Sequence, residues 1–178
     1  MLYASAMLIG HHVVKSGHGL WLPGDERGSW RKEWDQQIGE HGSTRFAVGD
    51  PIMERMARER LKHPPVTWTL QIQRRMFATL RRLVAESGGE LNIPALAIEE
   101  THLHLLVKAS RHPIESTARW ISHQLTIDIQ AMPGHRGPVF AEGRWRGWIR
   151  DDRHWEEAYA YIQSHNTRRG RPALALVP

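Results

Sequence analysis

A seven-residue run in the second half of the chain, THLHLLV at residues 101–107, sets two histidines among apolar residues. A short apolar run of this kind predicts a β-strand, and successive side chains of a strand point to opposite faces of its sheet. His102 and His104 therefore share one face, and Leu103 and Leu105 share the other. The pattern therefore predicts a hydrophobic core on one face of the sheet and two adjacent imidazoles on the opposite face.

Two imidazoles side by side on a rigid strand supply half of a site for a divalent metal ion, because each ring offers a neutral nitrogen at a fixed separation. The chain has no cysteine, which excludes thiolate metal sites and disulfides, so further ligands must be histidines, carboxylates or amides. A polar sheet face that carries two histidines is the alternative. The motif alone leaves both interpretations open.

The hydrophobic periodicity on either side of this run predicts a mixed domain of helices and strands. Strands are expected at residues 6–15, 91–98, 101–107 and 139–149, and helices at residues 51–61, 69–86, 114–132 and 153–165. Without residues 16–65, the order is strand, helix, strand, strand, helix, strand, helix. This order is typical of the ferredoxin-like fold, an α+β fold in which helices pack on an antiparallel sheet.

Length and composition indicate a single domain, residues 1–178, with an insertion in its N-terminal part. The chain is long enough for one substantial core, and 40% hydrophobic and 24% charged residues are typical of globular proteins. Residues 16–65 begin with a stretch rich in glycine, charge and tryptophan that is too long for an ordinary loop. We expect this insertion to lie over the surface. The basic tail at residues 168–178 is expected to be mobile.

Hydropathy and charge indicate a cytoplasmic protein with a polyanionic partner. No apolar stretch reaches the roughly 18 residues that suggest a membrane span, and the absence of cysteine fits a reducing compartment. The formal net charge of +5 favours a polyanionic partner but does not identify it.

Cations and aromatic residues alternate in RWRGWIR at residues 144–150. This composition suits contacts with phosphates and stacking of unpaired bases. The predicted DNA contacts in this segment are Arg144, Trp145, Arg146, Trp148 and Arg150. His12 and Lys15, at or near the end of the first predicted strand, are candidates for the same role. A strand with its tryptophans in the core and its arginines in water is the alternative.

Two tyrosines in the last predicted helix fall on different faces. At 100° per residue, Tyr159 shares an apolar stripe with Trp155, so it is expected to pack in the core. Tyr161 falls on a polar stripe with His154 and His165. A tyrosine hydroxyl in that position can attack a phosphodiester beside a divalent ion, and His165 can complete the ligands of the metal. An exposed tyrosine between surface histidines is the alternative.

These features occur together in one known family. The HLH strand comes after a helix and a hairpin, and it precedes a helix, a strand rich in Trp and Arg, and a last helix that carries YI and leads into RGRP. Further matching segments are HHVV at residues 11–14, LWLPGDERG at 20–28 and LKHPPV at 61–66. From about Ile9 to Pro172, the chain resembles the single-tyrosine HUH transposases, especially the REP-associated tyrosine transposases.

The resemblance implies a function and assigns residues to it. In that family two motif histidines bind Mg²⁺ or Mn²⁺. A tyrosine forms a covalent 5′-phosphotyrosine with a cleaved single strand and releases a 3′-hydroxyl that later reverses the step. Carried over, His102 and His104 are metal ligands, and Tyr161 is the nucleophile of a DNA strand transferase that acts on single-stranded or hairpin DNA. A homodimer is implied by the resemblance alone.

Two positions depart from the pattern of the family. Asn usually precedes the first histidine, where this chain has Thr101, and Asn or Gln usually lies four residues after the tyrosine, where this chain has His165. Imidazole can replace an amide as a ligand but prefers softer ions, which favours Mn²⁺ here. The departures keep one alternative open, a domesticated DNA-binding module of the same fold without catalysis.

The spacing of histidines disfavours two other classes of enzyme. A nucleotide hydrolase of the histidine-triad kind needs a third histidine where this chain has Leu106. A phosphodiesterase with paired His-x-Thr motifs needs a second copy of its motif, and the sequence contains none.

Overall fold

A four-stranded antiparallel sheet lies at the centre of the structure, a computed structural model. The structure describes residues 8–35, 40–141 and 145–178, without the side chains of residues 29–46 and 142–146. In chain order the elements are β1 (Gly10–Ser16), β2 (Ser29–Asp35), β3 (Glu40–Ala47), α1 (Pro51–Glu59), α2 (Leu70–Glu86), β4 (Ala95–Ile98), β5 (His102–Lys108), α3 (Ile114–Gln130), β6 (Trp145–Ile149) and α4 (Asp152–Thr167). The central sheet has the order β4-β5-β1-β6, and β2 pairs with β3 in a separate hairpin. The predicted α+β fold with an antiparallel sheet is confirmed.

The pairing of the strands decides which side chains share a face of the sheet. β1 lies between β5 and β6, and Val14 of β1 is paired with His104 of β5. Paired residues point to the same face, so His12, two positions before Val14, shares the face of His104. Leu103 and Leu105 are buried on the other face, as the alternation predicts.

Two helices cover this leucine face and form the main core. α2 begins after Thr69, whose side chain accepts a hydrogen bond from the amide of Ile72, and it ends just before Gly88, which has a φ of 60°. Apolar residues recur every three or four positions in α2 and α3 and pack against the strands. Fully buried side chains of this core include Trp68, Met76, Leu80, Leu83, Leu103 and Leu125.

α4 packs on the other face of the sheet over a second, smaller core. The carboxylate of Asp151 caps its N-terminus by accepting a hydrogen bond from the backbone amide of His154. Ala158 and Ile162 form an apolar cluster with Leu106 of β5 and Ile149 of β6. Because this cluster is small, much of the space between α4 and the sheet is left to polar side chains.

Three predictions of local structure need correction. β1 begins at Gly10, so His12 lies near the start of the strand and not near its end. The apolar periodicity of residues 114–129 predicts that Trp120 faces inward, but the residue is 41% exposed because Ala118 and Ile121 occupy the buried stripe of α3. Residues 16–65 contain the hairpin of β2 and β3, which the sequence analysis does not predict. The predicted helix near residues 51–61 is confirmed as α1.

The basic tail at residues 168–178 contacts the edge of the sheet at β4. Leu176 exchanges two backbone hydrogen bonds with Ile93, each of 2.8 Å. The guanidinium of Arg171 donates a hydrogen bond to the carbonyl oxygen of Ile98. These contacts oppose movement of the tail, and its mobility stays a prediction. Within the described residues, no helix combines the length and the apolar character that crossing a membrane requires.

Candidate metal site and nucleophile

Three histidines from two elements converge on the face of the sheet that α4 covers. β5 contributes His102 and His104, and α4 contributes His165. One ring nitrogen of each residue lies within 4.8 Å of those of the other two. The ring centroids of His104 and His165 are 4.4 Å apart. The structure thus brings together the three residues predicted as metal ligands, in an arrangement that can hold one ion.

The ring nitrogens of this cluster fit a divalent metal ion. Nε2 of His104 and Nε2 of His165 are buried and have no hydrogen-bond partner among the described residues. Buried polar atoms normally have a partner, so two such nitrogens on neighbouring rings indicate a ligand-binding role. Nδ1 of His104 lies 2.9 Å from Nε2 of His12, which leaves Nε2 of His104 available to a metal.

His12 therefore lies within the histidine cluster, behind one of the predicted metal ligands. The sequence predicts a role in DNA contact for His12, but only 7% of the residue is exposed. Its ring centroid lies 5.2 Å from that of His104 and 5.9 Å from that of Tyr161. Direct contact with DNA stays a prediction for this residue, and its hydrogen bond gives it a part in orienting His104.

Glu99 supports the cluster from the turn between β4 and β5, and the sequence analysis does not single it out. Its carboxylate accepts a hydrogen bond of 2.8 Å from Nδ1 of His165 and lies 3.7 Å from Nε2 of His102. Arg169 donates to its second oxygen at 3.3 Å. A carboxylate on Nδ1 fixes the tautomer of His165 that leaves Nε2 to the metal. In the sequence, the only indication of this role is that an acidic residue lies three positions before His102. The contact with His165 cannot be predicted locally, because the two residues are distant in sequence.

Thr101 gives His102 a similar support. Its hydroxyl oxygen lies 2.8 Å from Nδ1 of His102. A hydroxyl can donate or accept a hydrogen bond, so it suits either tautomer of the ring. Thr101 stands where the transposases that the sequence resembles usually have Asn, and its contact shows that the departure still leaves a polar partner beside the first histidine.

Burial favours the neutral form of three imidazoles, those of His12, His102 and His104. Desolvation, with smaller contributions from neighbouring histidines, lowers the pKa of His104 to about 2 and the pKa of His12 to about 4. Desolvation also lowers the pKa of His102, against the opposing effect of Glu99. Burial acts to raise the pKa of the Glu99 carboxyl, but the hydrogen bond from His165 and the nearby guanidinium of Arg169 help to lower it overall. His102 and His104 are therefore unprotonated at neutral pH, which is the form that binds a metal.

Tyr161 lies beside the cluster, on the face of α4 that the sequence predicts. The residue is 48% exposed, and its ring centroid lies 4.9 Å from that of His165 and 5.6 Å from that of His104. Tyr159, by contrast, packs against the apolar cluster beneath α4. A step of two residues turns a helix by about 200°, which explains why the two tyrosines have such different surroundings.

A cleft of about 690 Å³ opens beside Tyr161. It is bounded by the histidine face of the sheet, by α4 and by the loop that joins β1 to β2. Its lining includes His102, His104, His165, Tyr161, Trp21 and Arg27. No role for Trp21 or Arg27 is predicted from the sequence, because nothing local shows that their loop folds against the cluster. A cleft of this volume is in the range of ligand-binding sites.

Lys15, a predicted DNA contact, points away from the cleft. It lies on the face of β1 opposite His12, because the two residues are three positions apart on one strand. Its ammonium donates a hydrogen bond of 3.0 Å to the carbonyl oxygen of Ala141 and lies 5.4 Å from the ring centroid of Phe140. The structure therefore does not bring Lys15 together with the histidines.

Among the predicted DNA contacts of residues 144–150, Trp145, Arg146 and Trp148 belong to β6, and Arg150 follows it. Trp148 is paired with His11, so it also points away from the cleft, and its ring centroid lies 5.3 Å from that of His11. It is 52% exposed, with the guanidinium of Arg150 6.0 Å from its ring. Trp148 and Arg150 thus form an exposed surface on the other side of the sheet. Outside the described part lie Arg144 and the side chains of Trp145 and Arg146.

Comparisons with known proteins add two structural neighbours. Two solved structures of the transposase type are similar to this chain. One is a REP-associated tyrosine transposase bound to a REP hairpin, with 12% sequence identity, a TM-score of 0.49, and coverage of 96% of this chain and 74% of the other. The second is a candidate transposase from Deinococcus radiodurans R1, with 10% identity, a TM-score of 0.44, and coverage of 93% and 96%. No family model and no curated protein matches the sequence.

Proposed function

We propose that this protein is a metal-dependent DNA strand transferase that cleaves and rejoins single-stranded or hairpin DNA through a 5′-phosphotyrosine on Tyr161. The observation that carries the proposal is the position of this tyrosine, at a cleft and beside three histidines whose ring nitrogens converge. A phenol next to a set of metal ligands is the combination that attack of tyrosine on a phosphodiester requires. The sequence resemblance to single-tyrosine HUH transposases favours the same chemistry and adds a homodimer to the proposal.

The side chains of the site have separate roles in this reaction. His102, His104 and His165 would hold the divalent ion, and three imidazoles favour Mn²⁺ over Mg²⁺. A bound ion polarises the scissile phosphate and offsets the negative charge that develops on it. Glu99 and His12 orient the rings of His165 and His104 through their Nδ1 atoms.

Tyr161 carries the covalent step. Its hydroxyl oxygen forms a bond to phosphorus while the bond from phosphorus to the 3′-oxygen breaks. The phenol gives up one proton, and the leaving 3′-oxygen gains one to become a 3′-hydroxyl. Because one phosphoester bond replaces another, the 3′-hydroxyl can attack the phosphotyrosine and reverse the step. No external energy source is needed for rejoining.

A DNA-binding module without catalysis is the alternative, and it predicts a damaged site. The two departures from the family pattern do not leave such damage. Thr101 contacts Nδ1 of His102, and His165 places a buried nitrogen among the other ligands. We therefore favour the enzyme.

The test is a search for a covalent adduct between the protein and DNA. Single-stranded DNA with a flanking hairpin is incubated with the protein and Mn²⁺ and then analysed under denaturing conditions. A label at the 3′ end should stay with the protein, because the tyrosine keeps the 5′-phosphate of the downstream strand. A label at the 5′ end should be released on a fragment with a 3′-hydroxyl.

Two tyrosine variants give this test its control. Tyr161→Phe should abolish the adduct and retain DNA binding, whereas Tyr159→Phe should form the adduct. An adduct that survives Tyr161→Phe contradicts the assignment of the nucleophile. DNA binding without any adduct, across the metals and substrates tested, favours the binding module.

A further inference from the structure

The loop that joins β1 to β2 places a tryptophan on the wall of the cleft. Trp21 lines the cleft together with Tyr161 and the histidines, and 40% of the residue is exposed. A tryptophan that serves packing alone is normally buried, as Trp68 is in the main core with no exposed surface. Exposure alone does not distinguish Trp21, because Trp120 on α3 is 41% exposed; what distinguishes Trp21 is its position on the wall of the cleft that Tyr161 also lines.

The indole is held in place before any ligand arrives. Its Nε1 donates a hydrogen bond of 2.8 Å to the carbonyl oxygen of Gly28, and the guanidinium of Arg27 lies 4.9 Å from its ring centroid. Arg27 is fixed in turn by Asp25, which accepts from its Nε at 2.6 Å, and by the carbonyl oxygen of Leu20 at 2.8 Å. Such fixed rings bind at a lower cost in conformational entropy than mobile ones.

The charges of this wall favour a flat uncharged group over a phosphate. Asp25 forms a salt bridge with Arg27, so the positive charge beside the indole is largely offset. A site that binds phosphate usually presents unpaired cations or backbone amides. An aromatic ring next to a guanidinium plane is instead suited to stacking, and bases of unpaired strands stack on both groups.

We propose that Trp21, held by Arg27, is a stacking platform for one unpaired nucleobase of the strand that enters the cleft. The inference rests on the proposed function and extends it, because it names a base-binding site separate from the metal ligands and the nucleophile. Stacking is tolerant of base identity, since every base has an aromatic face. The platform therefore positions the strand beside Tyr161 without reading a particular sequence.

The test measures binding of single-stranded DNA in EDTA, so that no cleavage occurs. A set of labelled oligonucleotides carries one abasic site at each position in turn. For the wild type, loss of the base that stacks on Trp21 should weaken binding roughly 5- to 150-fold. Trp21→Ala should weaken binding of the intact strand by a similar factor and then show no further loss at that abasic position.

Matched variants separate stacking from a structural role of the loop. Trp120, on α3 and outside the cleft, is 41% exposed, so Trp120→Ala controls for removal of an equally exposed indole. It should bind like the wild type. Trp21→Phe lacks the hydrogen bond to Gly28 but keeps an aromatic ring, and it should retain most of the affinity. If Trp21→Ala does not fold, Trp21→Leu replaces it as an apolar side chain without an aromatic face.

The outcomes distinguish this inference from the proposed function. If the Tyr161 adduct forms and Trp21→Ala or Trp21→Leu binds DNA like the wild type, the platform is wrong and the enzyme stands. Equal losses at every abasic position in wild type and variant, without coupling at one base, also overturn the platform. If coupling at one base is found and no adduct forms, the platform stands and the catalytic proposal fails. A wild type that does not bind single-stranded DNA overturns the platform, and the adduct test with Mn²⁺ and hairpin-flanked DNA then decides on the enzyme separately.

Discussion

The two faces of the central sheet are built from the same strands, but they carry different kinds of side chain. On one face, Leu103 and Leu105 of β5 pack with α2 and α3 in a continuous apolar core. On the other face, His102 and His104 share the space beneath α4 with a much smaller apolar cluster. Alternation along one strand separates the two sets by a single residue.

This difference indicates that the two faces have separate physical tasks. The leucine face removes a large apolar area from water, which is the main favourable term in folding. The histidine face instead buries imidazoles at a cost, which is seen in the lowered pKa values of His104 and His12. The leucine face can supply the stability that the histidine face requires. Substitutions on the leucine face should therefore mainly lower the free energy of unfolding, and substitutions on the histidine face should mainly weaken metal binding.

The largest expected effect comes from substitution of neighbouring residues on the two faces. His102→Ala/His104→Ala removes two of the three proposed ligands and should reduce Mn²⁺ binding below detection in calorimetry. Leu103→Ala, on the same strand, should lower the free energy of unfolding by about 2–5 kcal/mol and leave Mn²⁺ binding intact below its melting temperature. Equal Mn²⁺ binding by the wild type and the double histidine variant would show that the metal site is misassigned.

Removal of the charge behind His165 should have a smaller effect on the metal. Glu99→Gln keeps the size of the side chain and loses the carboxylate that accepts from Nδ1, so Mn²⁺ affinity should fall roughly 10- to 100-fold. Glu90→Gln is the control, because Glu90 forms its ion pair with Arg111 away from the cluster. If both variants bind Mn²⁺ equally, Glu99 does not orient His165.

Acid should weaken the metal-free protein through the histidine face. The pKa values of His12 and His104 lie below the ordinary value of 6.5, so the unfolded state binds protons first as the pH falls. Stability is fully present above pH 6.5 and decreases toward pH 4. Between pH 6.5 and 5.5 the loss should be about 1 kcal/mol for each of these histidines. Urea denaturation across this range measures it, and a His12→Gln variant should lose less. Stability independent of pH in both proteins would contradict the burial of neutral imidazoles.

The parts of the site that could be predicted from sequence are those set by local periodicity. The period of two in a strand separates His104 from Leu103, and the period of 3.6 in a helix separates Tyr161 from Tyr159. The position of Glu99 could not be predicted, because it depends on how α4 docks on the hairpin of β4 and β5.

The same limit explains the other differences between sequence and structure. His12 reaches the cluster only because the pairing of β1 with β5 sets Val14 opposite His104. Trp21 reaches the cleft because a loop distant in sequence folds over the histidine face. The hairpin of β2 and β3 could not be predicted, because its strands SWRKEWD and EHGSTRFA lack the apolar alternation typical of a strand that packs against a hydrophobic core.

The smallest expected effect concerns Trp148, which lies on the face of the sheet away from Tyr161. Its exposed ring beside Arg150 can still stack on an unpaired base. That base would belong to a part of the DNA strand that lies outside the cleft. Trp148→Ala should therefore weaken binding of long single strands by about 1 kcal/mol, at the low end for one stacked base. Strands too short to extend beyond the cleft should bind the variant and the wild type equally. Arg150→Gln should reduce the salt dependence of binding, since it removes a cation that can contact phosphate. If Trp148→Ala loses affinity equally for short and long strands, Trp148 lies at the cleft and the separation of the two faces is contradicted. If it loses no affinity for either, β6 is not part of the DNA-binding surface.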